Sequence, residues 1–474
     1  MSRAALAAAT AFAALAACSS NHGTGIRLDS PRVEAFLDTV QRRTFDFFWQ
    51  RTPPATGLTP DRWPTPSFSS IAAVGFALTA YPIGVERGWI TRAAAAERTL
   101  ATLRFFWTAP QDSAASGVTG YRGFFYHFLD PATGHRFETV ELSTIDTTLL
   151  LAGMLFCQSY FDGPDSVEAE IRALADSIYF RVEWDWARPR PPAVGMGWHP
   201  ETGFINADWI GYNEGMILYL LALASPTHPV EPAAWDAWVS GYRWGTFQGS
   251  ELHVGFGPLF GHQYSHLWVD FRGIRDAYMR ARGLDYFENS RRATYAQRAY
   301  AIANPGGWNA YGPDIWGLTA SDGPLNGTVV IAGRPRQFHT YWARGASFTG
   351  VTDDGTVAPT AAGGSVPFAP EIAIPALLAM RETYGDHLFS TYGFLDAFNP
   401  TLTDTTVALQ HGRVDPVLGW VDGDYLGIDQ GPILAMIENY RTGLVWRVMR
   451  SNPHLVRGLR GAGFTGGWLD AGSP

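Results

Sequence analysis

Glu214 is the carboxylate whose surroundings point most directly to acid–base chemistry. It stands just before the apolar stretch 216–221, with Tyr212 and Asn213 beside it. A carboxyl group that lies against apolar surface is a candidate for a raised pKa, and such a group can donate a proton near neutral pH. The alternative is that Glu214 is only an acidic residue at a helix start, where the helix dipole favours its charge. Tyr212 and Asn213 are candidate substrate-binding neighbours.

A second, denser acidic cluster contains Glu138, Glu141 and Asp146. Glu141 or Ser143 would lie near the N-cap of a helix, and Asp146 would lie inside that helix, facing polar neighbours. The alternative is that Glu138 and Glu141 form an exposed first turn that interacts favourably with the helix dipole. The sequence alone does not decide whether Glu138 or Glu141 is the functional residue.

A third cluster contains Asp422, Asp424 and Asp429. Asp429 would be an N-cap with Pro432 in the first turn, which is an ordinary helix start and needs no catalytic explanation. Asp429 is nevertheless a candidate for catalysis, and Asp424 and Asp422 are the alternatives within this cluster.

Hydrolysis of a glycosidic bond generally requires two carboxyl groups, one protonated and one ionised. Burial raises the pKa of one group, whereas hydrogen bonds and helix N-termini stabilise the charge of the other. Acidic residues at several helix starts would provide both environments if those starts converge on one pocket. That arrangement is expected of a carbohydrate-cleaving enzyme.

Further polar and aromatic residues are weaker candidates for sugar binding. They are His262, Gln263, His266, Asp314, Trp316, Asp322 and Glu371. The two histidines are four residues apart and could bind a metal, but no HExxH pattern or third ligand accompanies them, so we predict no metal. The chain has no GxSxG motif, no P-loop and no Rossmann GxGxxG in a βαβ setting, and we predict no cofactor.

The elements that must position these residues are helices. Apolar residues spaced three and four apart predict amphipathic outer helices, and stretches that are apolar on most sides predict buried inner helices. The predicted outer helices are 31–50, 91–108, 165–182, 232–244, 285–303 and 386–397. The predicted inner helices are 67–84, 141–160, 210–224, 263–282, 370–384 and 429–448.

Six such outer–inner pairs predict an all-α fold, an (α/α)6 toroid. Long Gly- and Pro-rich loops precede the inner helices, so loops and inner-helix starts are expected at the same end of the toroid. Loops of this length inside a compact domain are usually functional or disordered, and we expect these to form pocket walls. The alternative architecture is an open helical solenoid, which a fixed repeat length would favour.

The composition indicates a globular protein, with 46% hydrophobic and 17% charged residues. The net charge is −9 and no basic run occurs, which argues against a nucleic-acid partner. We expect a monomer. Most of the 18 Trp residues would fill the core, but some with polar neighbours could line a groove, namely Trp198, Trp209, Trp308 and Trp316.

The N-terminus has the features of a targeting signal. Arg3 precedes the apolar run 4–17, which is too short to span a membrane and is typical of a signal peptide. Cys18 follows small residues, as the lipidated cysteine of a bacterial lipoprotein does; the alternative is ordinary secretory cleavage nearby, with Cys18 incidental. We predict a signal peptide at 1–17, a lipid-anchored tether at 18–30, a catalytic barrel at 31–455 and a loosely packed, Gly-rich tail at 456–474.

Five motifs together resemble a known family. They are Glu141-Leu-Ser-Thr-Ile-Asp146-Thr, Gly211-Tyr-Asn-Glu214-Gly, Gly261-His-Gln-Tyr-Ser-His266, Tyr311-Gly-Pro-Asp314-Ile-Trp316-Gly-Leu-Thr-Ala-Ser-Asp322-Gly and Gly427-Ile-Asp429-Gln-Gly-Pro432. They resemble the bacterial glucoamylase-like family, which includes the glycoside hydrolase family 144 endo-β-1,2-glucanases and related sophorose-releasing enzymes. The resemblance covers most of residues 35–450.

The resemblance implies an (α/α)6 barrel that hydrolyses β-1,2-glucan with inversion and without a cofactor, the proton passing through water or a substrate hydroxyl. It associates function with Glu214, Glu141 and Asp429. We expect Glu214 to be the general acid and Asp429 the base or the group that positions it. Glu141 and Asp146 would hold the sugar. Endo and exo action both remain open.

Two alternative functions are kept. One is the same barrel acting on another glycan, or as a transglycosylase or phosphorylase. The other is a non-catalytic, glucan-binding lipoprotein. In each case we expect the protein in the bacterial cell envelope, facing the periplasm or the cell surface, with the lipid anchor as its membrane attachment.

Overall fold

A computed structural model describes residues 27–471 of the chain. The predicted signal peptide and Cys18 lie outside the described residues and remain predictions. The described part is mainly helical, with small sheets, as the sequence predicts in outline. Within it, none of the helices combines the length and the apolar character that a membrane crossing requires.

The α-helices, numbered in chain order, are α1 Pro31–Arg51, α2 Ile71–Glu86, α3 Arg92–Thr108, α4 Thr144–Tyr160, α5 Ser166–Phe180, α6 Met216–Ala224, α7 Ala233–Ser240, α8 Tyr264–Trp268, α9 Ala277–Arg280, α10 Tyr286–Ala303, α11 Pro359–Gly363, α12 Pro370–Tyr384, α13 Gly427–Arg441, α14 Leu444–Met449, α15 Pro453–Gly461 and α16 Gly467–Asp470. Two 3-10 turns occur at Leu259–His262 and Gly385–His387.

The strands are short and pair antiparallel. They are β1 Arg62–Trp63, β2 Ser69–Ser70, β3 Gly120–Tyr121, β4 Phe124–Tyr126, β5 Phe128–Leu129, β6 Leu142–Ser143, β7 Gly197–His199, β8 Gly203–Phe204, β9 Trp244–Gly245, β10 His253–Val254, β11 Ala320–Ser321, β12 Gly327–Ile331, β13 Arg334–Phe338, β14 Trp342–Ala343, β15 Gly345–Ser347, β16 Gly350–Thr352, β17 Phe389–Ser390, β18 Gly393–Phe394, β19 Phe398–Asn399, β20 Arg413–Asp415, β21 Gly419–Val421 and β22 Tyr425–Leu426.

Strands of two sheets lead directly into the helices α4 and α13. The five-stranded sheet has the order β3-β4-β6-β7-β8, and β6 ends at Ser143, the N-cap of α4. β1 pairs with β22, which places Arg62 opposite Leu426, and α13 begins at the next residue, Gly427. The sheets therefore fix residues from distant loops beside the starts of α4 and α13.

The most apolar helices pack against one another. α2 packs against α4 and α13, α4 packs against α6, and α13 packs against α8 and α11. The more amphipathic helices cover them: α1 lies on α2 and α13, α3 on α2, and α5 on α4. This layering follows from sequence, because α2 is buried over most of its surface whereas α1 and α5 bury one face.

Two glycines allow α2 and α4 to approach closely. A Cβ atom on Gly153 would lie 2.2 Å from the carbonyl oxygen of Gly75. Gly153→Ala should therefore lower the free energy of unfolding by about 1–3 kcal/mol, as overpacking of a well-packed core does. Chemical denaturation measures this change.

Gly461→Ala is the matched control, because its Cβ would meet only Leu223 at 3.5 Å, an ordinary contact. This variant should keep the stability of the unaltered chain. If Gly153→Ala is also as stable as the unaltered chain, the close approach of α2 and α4 is wrong.

The structure corrects the fifth and sixth predicted helix pairs. No helix covers the predicted outer segment 386–397; it holds a 3-10 turn and the hairpin β17–β18, with Gly385 and Gly393 at positive φ. The segment 370–384 is a helix, α12. Its acidic residues form ion pairs with other helices, Glu371 with Arg291 of α10 and Glu382 with Arg32 of α1. Instead, the short α11 lies against α13.

Other predicted inner helices are shorter than expected. The segment 263–282 contains α8 and α9 separated by irregular chain, because Asp276 caps a new helix by accepting from the backbone N–H of Met279. The segment 429–448 divides into α13 and α14 at Gly443, where φ is +67°. The helix predicted from residue 210 begins only at Met216.

The predicted tail 456–474 is not loosely packed in its described part. α15 packs against α6, and a Cβ on Gly458 would lie 2.1 Å from the backbone oxygen of Leu220. Leu459, Phe464 and Leu469 belong to the main hydrophobic core. The small residues serve close helix packing, which the Gly-rich composition alone did not reveal.

Candidate active site

A cavity of about 340 Å³ opens where the starts of several buried helices meet. This volume lies at the small end of the range for ligand-binding pockets. The residues that line it are His127, Glu141, Ser143, Ile145, Asp146, Leu149, Met196, Ile205, Trp209, Glu214, Phe260, Tyr264, Ala320, Tyr341 and Ile428. They come from α4, α8, β6, β11 and the first turn of α13, and from the loops and the 3-10 turn beside these elements. Acids and aromatic rings thus share one apolar-walled space.

Glu214 lies on the cavity wall with a buried oxygen, Oε2, that has no hydrogen-bond partner. Burial raises the pKa of Glu214 to about 7, and the negative charge of Asp146 adds to the effect. Ser265 fixes the local backbone, since its Oγ donates to the Glu214 carbonyl at 2.9 Å and accepts from Ile217 N at 3.0 Å. The site therefore holds a carboxyl group that can carry a proton near neutral pH and present it to a ligand.

His127 bridges two other acids of the wall. Its Nδ1 lies 2.8 Å from Glu141 Oε1, and its Nε2 lies 3.5 Å from Asp146 Oδ1. Burial opposes ionisation of Glu141, but the hydrogen bond and charge of His127 outweigh it and lower the pKa of Glu141. Burial raises the pKa of Asp146, although His127 and Ser143 oppose that rise.

Ser143 builds the start of α4 around Asp146. As the N-cap it accepts from Asp146 N at 3.1 Å, and its Oγ donates to Asp146 Oδ2 at 2.5 Å. Of the two N-cap candidates, Glu141 and Ser143, the structure therefore selects Ser143. Glu141 is left free to face the cavity, and Asp146 lies inside the helix as predicted.

A cluster of buried aspartates lies beside the cavity, around the start of α13. Asp429 is in the first turn of α13, not at its N-cap, and its Oδ2 has no hydrogen-bond partner. Burial raises the pKa of Asp429 well above its usual value, and the nearby charges of Asp396, Asp322 and Asp61 act in the same direction. Asp396 lies within hydrogen-bonding reach of Asp429.

Arg62 provides positive charge to this aspartate cluster. Its Nη1 lies 2.6 Å from Asp322 Oδ2 and 3.9 Å from Asp424 Oδ2, and its Nε lies 3.5 Å from Asp61 Oδ2. Asp424 also accepts from Thr65 N at 2.9 Å. One guanidinium thus faces several carboxylates, and burial and the neighbouring negative charges raise the pKa values of Asp396, Asp422 and Asp429.

The same cluster contains the groups best placed to hold a cation. Within the described residues, Asp322, Asp396 and Asp422 each bring an oxygen within 4.8 Å of the others, and Asp322, His411 and Asp424 form a second such group. Carboxylate oxygens are ligands for Mg²⁺ and Ca²⁺. Both groups share Asp322, however, and a metal there would compete with the guanidinium of Arg62.

The cavity wall and the aspartate cluster are adjacent. The carboxyl group of Asp61 interacts electrostatically with both His127 and Asp322. The phenol of Tyr264 interacts with Asp429, Glu214 and Asp146. The structure thus brings together the acids that the sequence places at three separate helix starts.

Several predicted binding residues are internal and do not line the cavity. Tyr212 and His266 both bond to Ser290 Oγ, at 3.3 and 3.1 Å, and burial lowers the pKa of His262 and of His266 to about 3. These side chains pack inside the fold or support the helix starts, and their contact with substrate stays a prediction. The buried residues concerned are Tyr212, Asn213, His262, Gln263, His266 and Trp316.

Three other predicted residues lie elsewhere. Glu138 is exposed, at a positive φ of 46°, outside the cavity lining. Glu371 pairs with Arg291, which lines a separate surface cavity, so the structure does not bring Glu371 to this cavity. Asp314 is partly buried and is absent from the cavity lining. Of the tryptophans proposed for a groove, Trp209 lines the cavity.

The sequence reasoning missed several residues of the site, namely His127, Asp61, Arg62, Asp396 and Tyr341. His127 is embedded in the aromatic segment 124–128, which reads as an ordinary buried strand. Asp396 fell in a segment predicted as an outer helix. The charged pair Asp61-Arg62, close to a loop rich in Pro, was the signal that could have been followed.

Comparison with known proteins is consistent with this site. A family model described as "Putative glucoamylase" matches residues 206–453. An exo-β-1,2-glucooligosaccharide sophorohydrolase (non-reducing end) of Parabacteroides distasonis is 31% identical over 463 residues, covering 90% of this chain and 57% of that protein. The chain therefore spans little more than half the length of this relative.

Two solved structures from bacteria are similar to this chain over nearly their whole length. A crystal structure from Bacteroides uniformis, which carries the same family description, is 32% identical with a TM-score of 0.77, over 92% of this chain and 98% of that one. An endo-β-1,2-glucanase from Chitinophaga pinensis, in complex with sophorotriose and glucose, is 28% identical with a TM-score of 0.76, over 92% and 99% of the two chains.

Proposed function

This chain belongs to the glucoamylase-like family, and on that premise we propose that it is a glycoside hydrolase that cleaves β-1,2-glucan. The observation that carries the proposal is the environment of the Glu214 side chain. Its buried, unpartnered oxygen faces the cavity, and its pKa is raised to about 7, whereas the pKa of Glu141 on the same wall is lowered. Paired carboxyl groups with separated pKa values are what glycoside hydrolysis requires. The relatives that act on β-1,2-glucan support the choice of substrate.

We further propose that the helices close into an (α/α)6 toroid. Its inner ring would be α2, α4, α6, α8, α11 and α13, and its outer ring α1, α3, α5, α7, α10 and α12. Contacts link neighbours around the inner ring: α13–α2–α4–α6 by packing, Ser265 to Ile217, Gln263 to Ala361, and Thr360 to Asp429. This assignment replaces the predicted fifth and sixth pairs.

In the proposed reaction, Glu214 donates its proton to the glycosidic oxygen as the bond from that oxygen to the anomeric carbon breaks. A water attacks the anomeric carbon from the opposite face, and the configuration inverts. The proton of the water passes to Asp429, directly or through a sugar hydroxyl. The products are a free hydroxyl on the leaving sugar and a hemiacetal on the other.

Asp429 can act as a base when the negative charge of the pair that it forms with Asp396 lies on Asp429. Two carboxyl groups within hydrogen-bonding reach cannot both ionise easily, so the pair retains one proton and one negative charge. That negative charge accepts the proton of the water.

The aromatic side chains of the cavity would bind the faces of the sugar rings. Trp209 is held by a hydrogen bond from its Nε1 to Thr144 Oγ1 at 3.0 Å, and Tyr264, Phe260 and Tyr341 form other parts of the wall. Tyr341 is 49% exposed, which suits a residue at the cavity mouth. Glu141 and Asp146 would accept hydrogen bonds from sugar hydroxyls.

Incubation of the purified protein with linear β-1,2-glucan tests the proposed function. Chromatography over time should show β-1,2-linked products: sophorose alone from the start indicates exo action, and longer oligomers early indicate endo action. The product pattern should not change with inorganic phosphate. A sugar phosphate among the products, or cleavage of β-1,3- or β-1,4-glucan but not of β-1,2-glucan, would contradict the proposal.

A further inference from the structure

His127 faces a carboxylate with each of its two ring nitrogens. Nδ1 is 2.8 Å from Glu141 Oε1, and Nε2 is 3.5 Å from Asp146 Oδ1. A neutral imidazole carries a proton on one nitrogen only and would turn a lone pair toward one of these acids. The imidazolium ion carries a proton on both nitrogens and is attracted to both carboxylates. The geometry therefore selects the charged ring.

The orientation of the ring is fixed by the backbone and by a neighbouring ring. His127 N donates to the Glu141 carbonyl at 3.0 Å, and the His127 carbonyl accepts from Ile71 N at 3.3 Å. The imidazole stacks on Phe128 with 3.9 Å between ring centroids and 23° between ring planes. The backbone before β5 thus holds the imidazolium ring of His127 beside Glu141 and the start of α4.

The charge around His127 is predominantly negative. Burial alone would lower the pKa of His127, but Asp146, Glu141 and Asp61 outweigh it and raise the pKa to about 9. Asp61 directly precedes β1, whereas Glu141 and Asp146 lie on either side of β6. The titratable groups that face His127 and its two partners are Asp61, Glu141, Asp146, His199, Glu214 and Tyr264.

We propose that His127 is a positioning residue that keeps Glu141 and Asp146 ionised and aligned beside the protonated Glu214, a role that rests on the proposed hydrolysis. One positive charge stabilises two negative charges on the same wall. The charge of Asp146 in turn disfavours loss of the proton from Glu214. His127 thereby separates the protonation states of carboxyl groups that share a small cavity.

The first test is the pH dependence of kcat/KM for His127→Asn on β-1,2-glucan. Without the cation, Glu141 and Asp146 become harder to ionise, so their pKa values rise. The acidic limb of the profile should move up by about 1–3 pH units, the effect of losing an opposite charge at this distance. KM should also rise, because the two acids bind the sugar. A loss that is the same at every pH, with the acidic limb unmoved, would overturn the proposal.

His387→Asn is the matched control, since His387 is exposed and lies in a distant 3-10 turn. Its pH profile should match that of the unaltered protein. Thermal unfolding of both variants establishes that they are folded before rates are compared.

The second test needs no activity, and it measures the titration of His127 itself. In a 15N-labelled sample, the ring signals of His127, assigned by their absence from His127→Asn, should titrate with a pKa of about 9. In Glu141→Gln this pKa should fall by about 1 unit or more. Titration near 6.5, the ordinary value for histidine, would overturn the proposal. If the unaltered protein does not cleave glucan, the hydrolase proposal fails, whereas this titration still decides the state of His127.

Discussion

Glu214→Gln should reduce kcat on β-1,2-glucan by about 10²–10⁴-fold while the protein stays folded, because general acid catalysis contributes that factor. Glutamine has the shape of the acid but no proton to give to the glycosidic oxygen. A substrate with a nitrophenyl leaving group needs less protonation, so the variant should lose much less activity on it. Steady-state kinetics on both substrates measures the difference.

Glu138→Gln is the matched control for this substitution. Glu138 is an acid of the neighbouring cluster that the structure leaves exposed and outside the cavity. Its removal should leave kcat unchanged. Near-normal turnover of Glu214→Gln on glucan, or an equal loss on both substrates, would refute the assignment of Glu214 as the general acid.

The pH dependence of kcat/KM follows from the pKa of Glu214. The pKa of Glu214 is raised to about 7, so the proton donor is present below that pH and is lost as the pH rises through it. The alkaline limb of kcat/KM in the unaltered protein should therefore fall near pH 7. In Glu214→Gln this limb should disappear, since the amide does not titrate.

Asp429→Asn should reduce kcat by about 10²–10⁴-fold, the contribution expected of a general base. The amide cannot accept the proton of the attacking water, and the partner Asp396 would then hold its proton more weakly, because its charged neighbour is gone. The substitution should leave KM nearly unchanged if Asp429 acts on the water and not on the sugar. Steady-state kinetics measures both constants.

Asp404→Asn is the control, because Asp404 is an exposed aspartate whose side chain bonds only to Thr406 of its own loop. It should behave as the unaltered protein. If Asp396→Asn abolishes turnover while Asp429→Asn does not, the base is Asp396 and the assignment of Asp429 is wrong.

The sequence was sufficient for the parts of the site that follow from local context. Glu214 stands against an apolar stretch, and Asp146 stands after a serine cap, so their placement at buried helix starts could be predicted. The packing of α2 and α4 also followed, since both are apolar over most of their surface. These features depend on neighbours along the chain.

The remaining parts depend on pairing between distant segments. His127 acquires its charge from Glu141 and Asp146 only when β4 and β6 align, and Arg62 reaches α13 only through the pairing of β1 with β22. α11 has only five residues and no periodicity, so the sequence predicts α12 and not α11 as an inner helix. The sequence predicts His262 and His266 as sugar-binding residues because they are polar and stand at a helix start. In the structure both support the fold from inside.

A crystal structure of Glu214→Gln with a β-1,2-linked glucose oligosaccharide tests directly whether Glu214 and Asp429 act on the same glycosidic linkage. We expect one glycosidic linkage inside the cavity, with its oxygen near the side chain at position 214 and its anomeric carbon on the side of Asp429. A bound oligosaccharide that lies outside this cavity, or whose linkages reach neither residue, would contradict the account.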